Sequence, residues 1–395
     1  MKTLLIIDPI HSAGYLSTAL KEQGIYSIAL FSDMSNIAAF NQPAAHLFDR
    51  QIHLHGEQNV DTAIEALQNF RIDFVLNGCD QHLPFAEELA RRLTPNTANK
   101  LESLHLRESK FLQQQAMAAS GMPAIQQMLF DCTIPEYEAV IPFNYPVFAK
   151  PANGGGSIGI FMAKTYEELI EKLKSSPKMV NFDPIHHYLI QEYIEGKEVV
   201  IDSFSVKGRH YISNIFTYRK NYYLGSPVYR TIEPIYDHGL RNQVISFVEN
   251  VLNACDYQNG FAHTELFHLE NGEFRLIELN PRISGASGFL NKMTKAQGLN
   301  TQDMMLVHYL RGDEPKTSDL NLSCHYVRTL CLYTHKTIDF SQFASYHSHV
   351  TFTQEPLDLS RTPDLTDIRS LVLLAHSSFD VLEHETSILL DMDIL

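Results

Sequence analysis

Apolar and polar positions alternate in two rhythms over the first hundred residues. Short apolar runs at 4–7, 27–31, 47–54 and 73–77 read as strands. Between them lie amphipathic stretches such as 61–70, where Ile64, Leu67 and Phe70 form one stripe and Asp61 is the expected cap. Strand–helix alternation of this kind predicts a parallel sheet of Rossmann type. No GxGxxG follows the first strand, and the HSAGY at 11–15 is a poor substitute, so a dinucleotide site there is unsupported.

Further along, 101–120 reads as one helix, stopped by Gly121-Met122-Pro123. From Pro146 the order is strand (YPVFAK), glycine-rich loop (PANGGGS), strand (IGIFMAK) and helix (TYEELIEKLK). Thr165 and Glu168 form a capping box at the start of that helix. Strands dominate 188–220, a helix covers 242–255, another follows Asn300, and the tail reads as a small mixed unit.

The segment GFAHTELFHLENGEFRLIELNPRISG, residues 260–285, carries the most chemistry. Asn271-Gly272 between two alternating runs signals a hairpin with a two-residue turn. That turn would set Leu269 against Phe274, Phe267 against Leu276, Glu265 against Glu278 and His263 against Asn280, all on one face. Two carboxylates directly opposed bring their Cβ atoms to about 5 Å, which is destabilising unless something offsets the repulsion. A shared proton would do so, as in a carboxylate dyad. A hard cation fits better, because Asn280 adds a neutral oxygen and Mg²⁺ favours one or two carboxylates plus substrate phosphates. Glu270 and Glu273, at the turn, read as polar filler. Arg282 follows two residues beyond Asn280, although Pro281 is expected to end the ladder. A guanidinium there suits a phosphoryl group or a developing oxyanion, and its plain alternative is a salt bridge back to one of the glutamates. The Ser284-Gly285-Ala286-Ser287-Gly288 loop offers amides and hydroxyls to a substrate carboxylate.

Two other stretches are suggestive only in company. Lys150 ends the strand before Asn153-Gly154-Gly155-Gly156-Ser157, and glycines let a backbone approach a phosphate closely. GxxxxGK[ST] is absent and a strand follows, so this is no P-loop; alone it is more often a flexible turn. The run 191–198, QEYIEGKE, lies between two strands and by itself is a polar turn. His263, beside the acidic face, is a candidate general base, although a structural histidine is the commoner outcome.

Composition narrows the class. A net charge of −15 with no basic run disfavours nucleic acid. No apolar stretch approaches the roughly 20 residues that span a bilayer, and Asp8, Pro9 and His11 break the short apolar start, so a cytoplasmic protein without membrane partners is expected. The 5 cysteines form no CxxC pair and read as reduced, buried thiols. The pairs His53/His55, His186/His187 and His347/His349 lack the further ligands of a zinc site.

In combination these pieces resemble the ATP-grasp superfamily, most closely its L-amino acid ligases and other carboxylate–amine ligases, with similarity also to D-alanine–D-alanine ligase and biotin carboxylase. The resemblance rests on Lys110 in RESK, Lys150 in FAKP, the GGGS loop, QEYIEGKE, and Glu265 with Glu278-Leu279-Asn280-Pro281-Arg282. It implies an α/β and α+β chain: a Rossmann-like N-terminal domain (1–105), a small ATP-grasp lobe with the glycine-rich loop (106–190), a large lobe with the metal site (191–310) and a C-terminal subdomain completing that lobe (311–395).

The resemblance further implies roles for single residues. Lys110 and Lys150 would meet the ATP phosphates, and Gly155, Gly156 and Ser157 would cover them. Gln191, Glu192, Tyr193 and Ile194 would form the adenine strap, with Glu198 on the ribose. Gln191 departs from the acid often found in relatives, a change that main-chain contacts to adenine would survive. Glu265, Glu278 and Asn280 would hold one or two Mg²⁺ ions, with Mn²⁺ as a substitute. Arg282 would steady an acyl phosphate beside Ser284. The expected reaction joins a small-molecule carboxylate to an amine through that intermediate, and the family habit is a homodimer. Two other readings stand beside it: a carboxylase activating bicarbonate, and a non-catalytic nucleotide-binding regulatory module, which would be expected to have lost metal ligands that are all present here.

Overall fold

The structure is a computed structural model that describes residues 2–10, 12–32, 47–54, 59–132, 141–153, 159–180, 183–223, 226–285, 288–319, 325–334, 336–352 and 367–394. At the N-terminus β1 (Thr3–Ile7), β2 (Tyr26–Phe31), β3 (Arg50–His53) and β4 (Phe74–Asn77) pair in parallel, in the order β3-β2-β1-β4. Helices α1 (Ser12–Glu22), α2 (Val60–Leu67) and α3 (Leu83–Leu93) accompany them. Asn59, not Asp61, caps α2: its extended backbone lets the side chain accept from the amides of Asp61 (2.8 Å) and Thr62 (3.3 Å).

The helix expected over 101–120 is broken. After a short turn come α4 (Leu104–Glu108) and α5 (Lys110–Ala119). Ser109 between them is extended and its hydroxyl accepts from the Leu112 amide at 3.3 Å, so an internal serine acts as a second N-cap. Lys110 thereby becomes the first residue of α5.

Strands β5 (Gln127–Asp131), β6 (Val147–Pro151), β7 (Phe161–Ala163) and β10 (His187–Glu192) form a second sheet in the order β5-β10-β6-β7. The helix α6 (Tyr166–Ser175) buries Leu169 and Leu173 against it, with Thr165 capping the Glu168 amide at 3.2 Å. The return bond from Glu168 reaches the amide of Lys164, one residue before the cap. A short ribbon, β8 (Met179–Val180) with β9 (Asp183–Pro184), leads back into β10.

The largest sheet runs β15-β14-β11-β12-β13-β16-β18-β17. Its strands are β11 (Lys197–Val206), β12 (Arg209–Tyr223), β13 (Ser226–Pro234), β14 (Gly260–His268), β15 (Phe274–Asn280), β16 (Tyr326–Leu332), β17 (Tyr346–Thr351) and β18 (Ser370–His376). The tail strands thus continue the same sheet beyond β13. Helices α7 (His238–Ala254), α8 (Phe289–Ala296), α9 (Gln302–Arg311) and α10 (Phe379–Asp391) cover it. No helix among the described residues is long and apolar enough to cross a membrane.

The two faces of this sheet differ in chemistry. Val199, Ile201, Leu266 and Leu276 pack against Val244, Val248 and Val251 of α7. Full burial of each such side chain is worth about 1.5–3 kcal/mol. The opposite face places Val200 and Phe216 under Phe289 and Met293 of α8, while Phe204 and Phe261 share a core with Leu4 and Ile6 of β1 and Leu16 of α1. Glu198, Asp202 and Glu265 share that second face, because they alternate with or pair directly to these residues.

The hairpin between β14 and β15 departs from its expected turn and then recovers. Gly272 donates to the Leu269 carbonyl (3.0 Å) and Leu269 to the Glu273 carbonyl (2.9 Å), with Gly272 at φ 83°. This is a three-residue loop with glycine in the left-handed position, one residue longer than a two-residue turn. The pairing near the loop is shifted accordingly: His268 faces Phe274, Phe267 faces Arg275 and Leu266 faces Leu276. A β-bulge at Ile277 then absorbs the extra residue, and Glu265 faces Glu278 and His263 faces Asn280. The offsets cancel at the acidic pair. They also invert Phe274 and Leu276, which were expected beside the glutamates and instead enter the α7 core.

Candidate active site

Glu265 and Glu278 lie opposite each other with Asn280 and His263 one step further along the same face. Asn280 donates through Nδ2 to Glu278 Oε1 at 3.1 Å, and Lys110 Nζ stands 3.1 Å from Glu278 Oε2. Lys150, from the smaller sheet, donates to the carbonyl of Ile277 at 3.3 Å. The bulge supplies that acceptor, since a bulged residue is unpaired in its ladder. Burial works against charge on Glu278, yet the two lysines hold its carboxyl down at about 2. Burial depresses Lys150 to about 8, with Glu278 opposing and Lys110 adding to the shift. Burial also presses on Lys110, but Glu278 more than compensates and its pKa is raised.

Helix α5 fixes the outer edge of β15. The Gln113 side chain donates to the Leu279 carbonyl at 2.9 Å and accepts from the Leu279 amide at 3.0 Å. Gln114 donates to the Leu276 carbonyl at 2.6 Å. Two buried amides thus satisfy an edge that would otherwise leave buried backbone groups unpaired. Lys110 reaches Glu278 because its helix is clasped to this strand.

Arg282 does not turn back to a glutamate. Its Nε donates to Asp80 Oδ2 at 2.5 Å and its Nη1 to the Ile283 carbonyl at 2.9 Å. Asp80 follows β4, so the N-terminal parallel sheet meets the loop beyond the acidic hairpin here, and Asn77 adds a bond to the Pro281 carbonyl at 3.2 Å. Ser284 is fully buried and its Oγ has no partner among the described residues. The Ser12 hydroxyl, at the start of α1, donates to the Gly285 carbonyl (2.7 Å) and accepts from the Gly288 amide (2.9 Å). One amide expected for substrate is therefore already engaged. Ala286 and Ser287 lie outside the described residues, as do Gly155, Gly156 and Ser157.

The strap residues lie at the end of β10 and just beyond it. Gln191 is buried and donates to Gln127 Oε1 at 3.1 Å, while Glu192 accepts from the Gln126 amide at 2.8 Å. Both side chains are directed to β5 and its approach. Tyr193 and Ile194 follow the strand, with Tyr193 exposed. Glu198 pairs with Lys220 and lies 3.4 Å from the Tyr229 hydroxyl. Burial raises its pKa despite Lys220. Neither Lys220 nor Asp80 carried a sequence signal: each meets its partner only through strand pairing or domain contact.

His263 is not placed to act as a base. Its Nδ1 sits 2.7 Å from Asp202 Oδ1 and its Nε2 3.5 Å from Glu265 Oε1. Burial alone would lower its pKa, but the two carboxylates carry it up to about 9, so at neutral pH it already holds its proton. Arg328, on β16, pairs with Glu233 (2.9 Å) and Glu383 (2.6 Å) on the sheet's other face. The histidine pairs build no metal cluster among the described residues. The group of donors that does converge is Asp8, Cys79 and His82, where Asp8 is engaged by Ser32 and His82.

The donor set at Glu265, Glu278 and Asn280 is all oxygen, with two carboxylates and one amide facing a common space. That chemistry fits a hard divalent cation and not a soft one. The adjoining lysines fit an anionic ligand sharing the ion.

Known proteins share the domain and the fold. Residues 143–289 match the ATP-grasp domain family. Dapdiamide A synthase of Enterobacter agglomerans is 24% identical over 292 residues, covering 72% of this chain and 68% of that protein. A D-alanine–D-alanine ligase of Haemophilus ducreyi is 24% identical over 239 residues, covering 58% of this chain and 76% of the ligase. In fold, the L-amino acid ligase of Bacillus licheniformis superposes with a TM-score of 0.74 at 18% identity, covering 99% of this chain and 97% of that one. Residues 143–289 thus carry an ATP-grasp domain, and the whole chain shares the fold of that ligase.

Proposed function

We propose that this enzyme joins a carboxylate to an amine, through an acyl phosphate, at the expense of ATP. The observation that carries the reading is the single face on which Glu265, Glu278 and Asn280 meet Lys110 and Lys150. The amide-forming relatives support the same class of substrates, amino-acid-like carboxylates and amines.

Glu265, Glu278 and Asn280 would hold Mg²⁺, which when bound supplies charge neutralisation to the nucleotide's phosphates. Lys110 and Lys150 add positive charge beside the same phosphates. Gln191 to Ile194 line the adenine and Glu198 faces the ribose, sharing its carboxylate with Lys220. A carboxylate is a poor electrophile, so its oxygen first attacks the γ-phosphorus and ADP leaves. Such a transfer depends on in-line placement and charge stabilisation more than on covalent help. The neutral amine nitrogen then attacks the acyl carbon, phosphate departs with the bonding pair, and the proton lost by the nitrogen passes to the departing phosphate. Arg282 steadies the acyl phosphate and the developing oxyanion, with Ser284 beside it. Division of the chain at residues 105, 190 and 310 follows from the same reading.

The test is a phosphate-release screen over amino acid pairs with ATP and Mg²⁺, followed by mass analysis. The expected product weighs the sum of the two substrates less one water. Release that requires bicarbonate and no amine would overturn the reading in favour of a carboxylase.

A further inference from the structure

Asp202 and His263 have no part in the chemistry just described, yet they are buried directly behind it. They sit on neighbouring strands, paired in register, at 0% and 4% exposure. His263 Nδ1 faces Asp202 Oδ1 at 2.7 Å, and its Nε2 faces Glu265 Oε1 at 3.5 Å. Alternation puts His263 and Glu265 on one face, and the two ring nitrogens each meet one of the two carboxylates. Asp202 Oδ2 has no hydrogen-bond partner among the described residues. A buried carboxylate oxygen left without a partner is costly, and a packed apolar pair would avoid it. Asp202 is therefore a poor choice for stability alone.

We propose that Asp202 and His263 are positioning residues for the divalent cation: Asp202 fixes the imidazole, and the imidazole fixes the Glu265 carboxylate in the orientation that accepts the ion. The inference rests on the metal reading of Glu265 and Glu278. Glu278 has its own orienting partners, Asn280 and Lys110, whereas among the described residues the close polar contact to the Glu265 carboxylate comes from His263. Outer partners that orient a metal ligand are typically worth 10–100-fold in metal affinity.

Positioning and plain charge make opposite predictions, which allows a sharp test. Mn²⁺ binding is titrated by electron paramagnetic resonance in the presence of a non-hydrolysable ATP analogue. Asp202→Ala, Asp202→Asn, His263→Gln and Glu278→Gln are compared with the wild-type chain. Thermal unfolding without metal reports whether each variant is folded. Positioning predicts that Asp202→Ala and His263→Gln both weaken Mn²⁺ binding about tenfold or more. Asp202→Asn keeps an oxygen for Nδ1 and should stay within about threefold of wild type. If charge alone mattered, Asp202→Asn would be as weak as Asp202→Ala and His263→Gln would bind more tightly. Either result overturns the proposal, as does wild-type affinity in folded Asp202→Ala. Should Glu278→Gln bind Mn²⁺ as well as wild type, the metal reading itself falls. Loss in Glu278→Gln with retention in Asp202→Ala and His263→Gln removes only the positioning role.

Discussion

Arg282 Nε lies 2.5 Å from Asp80 Oδ2, a contact between the loop beyond the acidic hairpin and the end of the N-terminal parallel sheet. Burial works against charge on the guanidinium, but Asp80 more than compensates, stabilising its protonated form and fixing its direction. If Arg282 meets the acyl phosphate, the N-terminal domain sets its aim. Asp80→Asn keeps the shape but loses the charge-assisted bond. We expect kcat to fall about tenfold with the KM for ATP within about twofold, the signature of a contact that matters in the transition state. Steady-state kinetics over ATP and both co-substrates would check it, and an unchanged kcat would separate the domain contact from catalysis.

The clasp between α5 and β15 predicts a stability effect. Gln113→Met is close in volume but leaves the Leu279 amide and carbonyl without their side-chain partner. Each unsatisfied buried group costs about 1–3 kcal/mol, so a loss of about 2–4 kcal/mol is expected in urea unfolding. A loss below about 0.5 kcal/mol would mean that water or a shifted strand replaces the glutamine.

Lys150 predicts a proton uptake. In the free protein its pKa is about 8, so near that pH about half of the molecules carry a neutral amine. Phosphates beside it favour the ammonium and raise the pKa again. Nucleotide binding should therefore draw up to about one proton from solvent near pH 8 to 9, and almost none well below that range, where the lysine is already charged. Calorimetry in buffers of different ionisation enthalpy measures the uptake, and Lys150→Met should abolish it.

How far the sequence led is clearest at the hairpin. The opposition of Glu265 to Glu278 is what side-chain alternation from a two-residue Asn-Gly turn predicts, and it holds because two departures from that turn cancel. The route to it was not legible. A longer loop and the bulge at Ile277 each shift the ladder by one residue, and no residue type marks either of them. Strands β1, β2 and β4 were legible from apolar runs, since parallel strands buried on both faces have no polar alternation to obscure them, whereas the edge strand β3 is polar and only partly buried. The clasp by Gln113 and Gln114 was hidden, because a QQQ run on a helix reads as solvent-facing until the edge strand it serves is known. Lys220 behind Glu198, and Asp202 behind His263, are likewise products of strand pairing and not of local pattern.

The proposed chemistry requires the space between Glu265 and Glu278 to hold a divalent ion. The most direct measurement is anomalous diffraction from a crystal soaked with Mn²⁺ and ADP. A peak within about 2.0–2.6 Å of oxygens from both glutamates, shared with the nucleotide's phosphates, is the predicted result. Clear density for ADP with no anomalous peak between the two carboxylates would contradict it.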